Sequence, residues 1–331
     1  MKTQKGNGAN LEIIAEGKVK RIFADPDSAD KIIIEFTDRI TAGDGEKRKI
    51  VEGKGKVACI TSQFLLNYLA NKGIATHLIK QLDDTILLCH KVDIFPLEVV
   101  CRNVAAGSFC RRYGIKRGKH LQRPFVEFFL KDDSLNDPLL STESIQALCI
   151  ATDEEIAFMQ VVTLSVNYYL GELLSQVGLH LVDFKLEFGK TEDGAILLAD
   201  EISGDTIRVW NKEEGSLDKD IFREDKGKVM HAYNKLLEIL KDTSAEDVST
   251  RTETLSVLVL PKDGIKNPPG DVTKKAMIRL GFKDVVDVRA GRVYRISVDR
   301  PINPALLEDL REMNVKLLSN PIAEKTELRL I

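Results

Sequence analysis

The sequence predicts an α+β protein built as two domains. Three observations predict it. Strand-like and helical stretches succeed one another through the first 241 residues, with enough apolar content, 43% overall, to build cores. A polar stretch at 242–253, DTSAEDVSTRTE, then holds one large apolar residue in twelve, a linker composition that spans roughly 20 Å as a flexible coil. Beyond it, residues 254–331 read as βαββαβ, the order of a small two-layer sandwich with both helices on one face of a sheet. At 331 residues the chain suits two domains.

Taken in order, LEIIAEGKVKRIF and KIIIEFTD read as strands around a turn at Asp25-Pro26. From Gly55 to Lys72, Val57, Ile60, Phe64, Leu65, Tyr68 and Leu69 follow helical spacing, and Gly73 stops the helix. TILLCHKVDI and PLEVVCRNVA are strand-like. The spacing predicts a helix over 152–177, opened by a capping box of Thr152 and Glu155 and ended at Gly178. A strand follows, LVDFKLEFG at 181–189, then a helix over 218–240 weakened at Gly227. In the tail, TLSVLVL, VVDVRAG, RVYRISV and TELRLI read as strands, VTKKAMIRLGF and PALLEDLREMNVKLL as helices. The chain has no internal repeat and no low-complexity tract.

Composition excludes several classes. A formal charge of −3 does not point to nucleic acid. Cys59, Cys89, Cys101, Cys110 and Cys149 are odd in number and form no CxxC, so they read as reduced thiols, not a disulfide frame or a zinc site. The N-terminal MKTQKGNGAN has no apolar signal core, and no apolar run approaches the ~20 residues of a membrane span. The expected location is the cytoplasm. His77, His90, His120, His180 and His231 form no ligand-spaced set and receive no role.

The chemistry begins at 181–189. Val182, Phe184, Leu186 and Phe188 want a core, so Asp183, Lys185 and Glu187 share the other face. A two-residue type I′ turn at Asp193-Gly194 would set Glu187 opposite Asp200 and Lys185 opposite Ile202. Opposed carboxylates repel unless a divalent cation sits between them, and Mg²⁺ is held by one or two carboxylates plus phosphate. A solvated face with a Lys–Glu pair is the plainer alternative.

Other pieces add weight. Lys18 and Lys20, beside Gly17, suit a cationic lid over phosphates, although no Walker A pattern is present. TAGDG at 41–45 is a loop tight enough for close ligand approach. Arg102 ends an apolar run, and Gly107-Ser108 can offer N–H groups to a phosphate. KDDSLNDP at 131–138 sets three acids before a proline, and Asp200, Glu201, Asp205 and Arg208 cluster near Trp210, the single tryptophan.

Together EGKVKRIF, TAGDG, EVVCRNVAAGS, KDDSLNDP, LVDFKLEFG, ADEISGDTIRVW and DKDIFR resemble, in order, the SAICAR synthetases, phosphoribosylaminoimidazole-succinocarboxamide synthases of purine biosynthesis. The resemblance covers residues 11 to about 240. It implies a two-lobed fold related to ATP-grasp and kinase-like enzymes, with ATP between the lobes. It implies that ATP, carboxyaminoimidazole ribonucleotide (CAIR) and L-aspartate give the succinocarboxamide, ADP and phosphate. It also implies roles. Lys18, Lys20 and Glu187 contact ATP, and Glu187, Asp200 and Asp137 hold Mg²⁺. Lys185 stabilises the transferring phosphoryl group, with Asp183 and Lys131 beside it. Gly43, Asp44, Arg102, Ser108 and Arg208 hold substrate. One departure is Gly204-Asp205-Thr206, where the family usually has Pro-Asp-Ser; the glycine is expected to loosen that loop and shift substrate affinity.

The tail resembles the small PurS-like accessory subunit of formylglycinamidine ribonucleotide synthase, through PPGDVTKKAMIRLGF, VVDVRAGRVYRI and LLSNPIAEKTEL. That resemblance implies a non-catalytic bridge between synthase and glutaminase subunits, and both families tend to form homo-oligomers. The alternatives are a ligase of the same fold acting on another carboxylate, and a tail that only drives oligomerisation.

Overall fold

The computed structural model describes residues 12–42, 47–211, 215–223, 229–242, 253–298 and 304–330. The chain divides into two compact units, 1–248 and 249–331. The expected linker, 242–253, lies almost wholly outside the described residues.

The first unit contains two main sheets. One has five antiparallel strands in the order Ile13–Glu16, Lys20–Ala24, Lys31–Phe36, Ile86–His90 and Leu78–Asp83. The helix Lys54–Asn71 packs on it, and Ile34, Phe36, Ala58, Cys59, Leu87 and Cys89 close the space between them.

The other sheet is centred on the strand Leu179–Lys190. Leu97–Val104 and Ile207–Asn211 flank its first half, and Ile196–Ala199 and Asp93–Ile94 pair with its far end. His120–Leu130 extends the sheet beyond Leu97–Val104. The helix Asp153–Ser175 covers one face. Its predicted capping box forms: the Thr152 hydroxyl accepts from the Glu155 amide at 3.3 Å, and the Glu155 carboxylate accepts from the Thr152 amide at 2.8 Å. Ile156, Met159, Val162, Val166, Leu170 and Leu173 form its buried stripe and meet Phe184, Leu186 and Phe188. Full burial of each such side chain contributes about 1.5–3 kcal/mol.

Two sequence expectations for this strand need correction. The turn is not a two-residue type I′. The Thr191 amide donates to Ala195 O and the Gly194 amide to Thr191 O, both at 2.9 Å, with Gly194 at φ 90°, which makes a three-residue loop. The register moves by one, so Glu187 lies opposite Ala199, and Asp200 falls just past the strand end. Val182 also leaves the expected face. A β-bulge between Leu181 and Asp183 puts an extra residue in the strand, and Val182 packs instead with Val104, Ala106 and Trp210.

Within the expected helix over 218–240, Asp220–Arg223 and Val229–Lys241 are helical, and 224–228 lie outside the described residues. Tyr233 and Leu237 of the longer piece join Ile40 and Val57 in a small core.

In the second unit, Glu253–Pro261 is the middle of a three-stranded antiparallel sheet, between Arg292–Val298 and Glu324–Leu330. The helices are Pro268–Arg279 and Pro304–Met313. VVDVRAG does not form the expected fourth strand. It is held by a side chain instead: Asn267 donates to Ala290 O at 2.8 Å and accepts from the Ala290 amide at 3.2 Å. One amide group satisfies both polar groups of Ala290, which therefore needs no ladder.

Candidate functional site

Asp183, Lys185 and Glu187 stand on the face of Leu179–Lys190 opposite the helix-covered core, with Asp183 and Glu187 buried. Lys185 and Glu187 enter one charge cluster, and Asp183 enters a second.

In the first cluster, Lys185 Nζ lies 2.6 Å from Glu98 Oε1 and 3.1 Å from Glu187 Oε1. Lys131 pairs with the other oxygen of Glu187. Lys20, the first residue of its strand, reaches from the five-stranded sheet to pair with Asp200 and lies 3.2 Å from Glu201 Oε1. Burial pulls the Lys20 ammonium down, but Asp200 and Glu201 outweigh it and raise its pKa. Lys185 is raised in the same way by Glu187 and Glu98 against its burial. Burial pushes the Asp200 carboxyl up, and Lys20 and Lys185 more than offset it, so its pKa falls. The same two lysines thus act on Asp200 from both sheets, which brings Asp200 and Glu187 into one field despite the shifted register.

Among the described residues, Asp200 is one of four non-glycine residues at positive φ, 60°. Buried His77 approaches its carbonyl, with Nε2 at 3.1 Å from Asp200 O. Burial lowers the His77 pKa to about 4.

The second cluster is a buried lattice of arginines and acids. Asp183 accepts from Arg102 at 3.2 Å and from Arg208. Arg208 also donates twice to Asp220, at 2.5 and 3.1 Å, and Arg102 to Glu127 at 2.5 Å. The Ser108 hydroxyl lies 3.5 Å from Arg102, at the edge of hydrogen-bond range. Burial opposes the Arg208 charge, and Asp183 and Asp220 reverse the effect, raising its pKa.

A third group lies next in the chain. Lys54, only 1% exposed, pairs with Asp205, as does Lys219 at 3.3 Å. Tyr233 donates to the same carboxylate at 3.2 Å. These cations overcome burial and hold Asp205 at a pKa of about 2. The loop at Gly204 is held through these contacts to Asp205. A Cβ there would lie 2.9–3.0 Å from carbons of the Tyr233 ring. Thr206 ties the loop further, donating to Glu201 O at 3.1 Å.

Not every expected residue joins a cluster. Lys18 Nζ pairs with Asp133 at 2.6 Å on the rim. Asp137 closes its own loop, accepting from the Asp132 amide at 2.9 Å. Gly43 and Asp44 lie outside the described residues. Sequence reasoning missed Lys54, His77, Glu98, Glu127, Lys219, Asp220 and Tyr233. A signal existed for two of these: Glu98 and Glu127 are lone acids inside apolar runs, PLEVV and FVEFF.

Among the described residues no group of three or more His, Cys, Asp or Glu is arranged to hold a metal ion. Glu187 and Asp200 are paired with lysines here, Glu187 with Lys131 and Lys185 and Asp200 with Lys20; their carboxylates are the ligand type that Mg²⁺ takes alongside phosphate and water.

Comparison with known proteins agrees over both units. Residues 13–240 match the family model described as SAICAR synthetase, and 254–331 that described as phosphoribosylformylglycinamidine (FGAM) synthase, PurS. The phosphoribosylaminoimidazole-succinocarboxamide synthase of Staphylococcus carnosus is 44% identical over 232 residues, covering 70% of this chain and 99% of that one. The crystal structure of the synthase from Ehrlichia chaffeensis superposes with a TM-score of 0.68 at 40% identity, covering 70% of this chain and all of that one. A SAICAR synthetase solved in complex with ADP gives 0.66 at 41% identity, covering 70% of this chain and 98% of that one. The chain belongs, through residues 13–240, to the SAICAR synthetase family, and it carries a PurS domain behind that part.

Proposed function

We propose that the first unit ligates L-aspartate to the carboxylate of CAIR with ATP. A single observation supports this most: Asp183, Lys185 and Glu187, on one face of one strand, join a lysine–carboxylate cluster to a buried arginine cluster. The first suits a triphosphate, the second a substrate phosphate or carboxylate.

A carboxylate oxygen is a poor leaving group, so the reaction divides. A CAIR carboxylate oxygen attacks the γ-phosphorus and ADP leaves; the aspartate amine then attacks the acyl carbon, and phosphate departs with that oxygen. No protein nucleophile is required, and the residues act by position and charge. Lys20 and Lys18 contact ATP phosphates, and Lys185 and Lys131 offset charge on the transferring group. Arg102, Arg208 and Ser108 hold the ribonucleotide, with Asp183 orienting both guanidiniums. The family resemblance adds Gly43 and Asp44 as substrate contacts. Mg²⁺, held by Glu187 and Asp200, would screen the phosphate charge; Asp137, tied to its own loop, is left out of that set.

The same reading makes the two sheets the lobes of an ATP-grasp or kinase-like enzyme with nucleotide between them. It makes the PurS domain a two-layer bridge to synthase and glutaminase subunits, places the protein in the cytoplasm, and expects a homo-oligomer. No helix among the described residues is long and apolar enough to cross a membrane.

The test is an assay of purified protein with each substrate omitted in turn. ADP release that needs CAIR, aspartate and Mg²⁺ together supports the proposal. Equal turnover with another amine or another carboxylate refutes it. Residues 1–245 should retain the ligase, while the tail should retain any binding of the amidotransferase subunits.

A further inference from the structure

Asp200 adopts a left-handed backbone conformation, φ 60°, that residues with a Cβ avoid. Such a conformation persists where its surroundings over-determine it, and that happens most at functional sites. The constraint here comes from the short segment after Gly73. The Leu198 amide donates to Ala75 O at 3.0 Å, and the His77 amide donates to Leu198 O at 2.9 Å. Thr76 and Leu198 thereby form a parallel bridge. The His77 side chain continues past this bridge, its Nε2 meeting Asp200 O at 3.1 Å. On the far side, the Ser62 hydroxyl accepts from the Ile202 amide at 3.2 Å. The backbone is thus fastened before, at and after the two acids that face Lys20.

A carbonyl oxygen only accepts, so the His77 nitrogen facing it must carry the hydrogen. His77 is 2% exposed, which leaves water little chance to substitute for that bond.

We infer that His77 is a positioning residue for nucleotide binding: its Nε2–H holds the Asp200 carbonyl and so fixes the direction from which the Asp200 and Glu201 carboxylates meet Lys20. The inference rests on the nucleotide-site reading above, and it concerns a residue that touches neither nucleotide nor substrate.

The test uses the full chain and three proteins: wild type, His77→Gln, whose side-chain amide can donate, and His77→Phe, which cannot. ADP binding is measured by calorimetry with and without Mg²⁺, and KM is measured for ATP and for CAIR. His77→Phe should weaken ADP about tenfold and raise the KM for ATP alike, leaving the KM for CAIR within about twofold. His77→Gln should recover ADP affinity to within about threefold of wild type. Wild-type affinity in His77→Phe, or equal loss in both variants, overturns the inference. So does a parallel rise in both KM values. If wild type binds no ADP, the nucleotide reading itself falls, and the inference with it. A second measurement needs no variant. ¹⁵N-histidine NMR at pH 7 should show a buried ring protonated at Nε2 alone; the Nδ1–H form or a charged ring overturns the inference.

Discussion

Lys20 and Asp200 stand 180 positions apart in the chain and form an ion pair between the two sheets of the first unit. Glu201 lies against the same ammonium at 3.2 Å. One cation therefore faces two acids, and its replacement by an apolar side chain removes the ion pair from each, leaving Asp200 to the field of Lys185 and Glu201 to the Ser203 hydroxyl. Lys20→Met should abolish measurable ADP binding and lower stability by about 3–5 kcal/mol, the cost of breaking a buried pair. Calorimetry and denaturant unfolding check both effects, and an unchanged ADP affinity would remove Lys20 from the nucleotide site.

The arginine cluster makes a separate demand. Arg208 spans Asp183 and Asp220 with three donated bonds, a forked geometry that an ammonium cannot copy. Arg208→Lys should raise the KM for the ribonucleotide at least about tenfold with the KM for ATP nearly unchanged. Steady-state kinetics with each substrate varied separates the two; an effect on ATP alone would reverse the assignment of the clusters.

Gly204 sits beneath the Tyr233 ring, where an added Cβ would approach to 2.9 Å. Gly204→Ala and Gly204→Pro should each cost about 1–3 kcal/mol, because an aromatic ring held to Asp205 by its hydroxyl has little room to give. Thermal unfolding is the measurement. A neutral or stabilising proline would show that the ring yields.

Asp218 predicts a dependence on pH. Burial, with Asp220 adding to it, pushes its carboxyl up from 3.8 to about 6. Between those values the folded state binds the proton that the unfolded state releases, so this group's contribution falls as pH rises through the window. The full difference is about 3 kcal/mol at 1.36 kcal/mol per unit. His77, lowered to about 4, acts in the opposite direction over much the same range, so wild type alone does not isolate the effect. The comparison is with Asp218→Asn: its stability relative to wild type should increase from pH 4 to pH 6 and level off above. A flat difference would show that Asp218 is ionised throughout.

The sequence was most legible where physics is local. The Thr152–Glu155 capping box formed as its spacing required, and the alternating Phe184, Leu186 and Phe188 met the core. Legibility failed where one residue is inserted or one side chain stands in for a ladder. A third loop residue moved Glu187 from Asp200 to Ala199, and a bulge turned Val182 away from the helix-covered core into a separate cluster with Val104 and Ala106. Asn267 held Ala290 where strand pairing was expected. The charges told a similar story. Asp183, Lys185 and Glu187 were readable because a strand separates its faces. Their partners were not, since Glu98 to Lys185, Lys54 to Asp205 and His77 to Asp200 are meetings that only the tertiary fold arranges.

The central claim is that the substrate carboxylate is activated by phosphorylation between the two clusters. CAIR labelled with ¹⁸O in its carboxylate tests this most directly, with mass analysis of the phosphate released during turnover with ATP and aspartate. One labelled oxygen should appear in each phosphate formed, at wild-type rate in the full chain. Phosphate free of label, formed alongside the succinocarboxamide, would contradict the account.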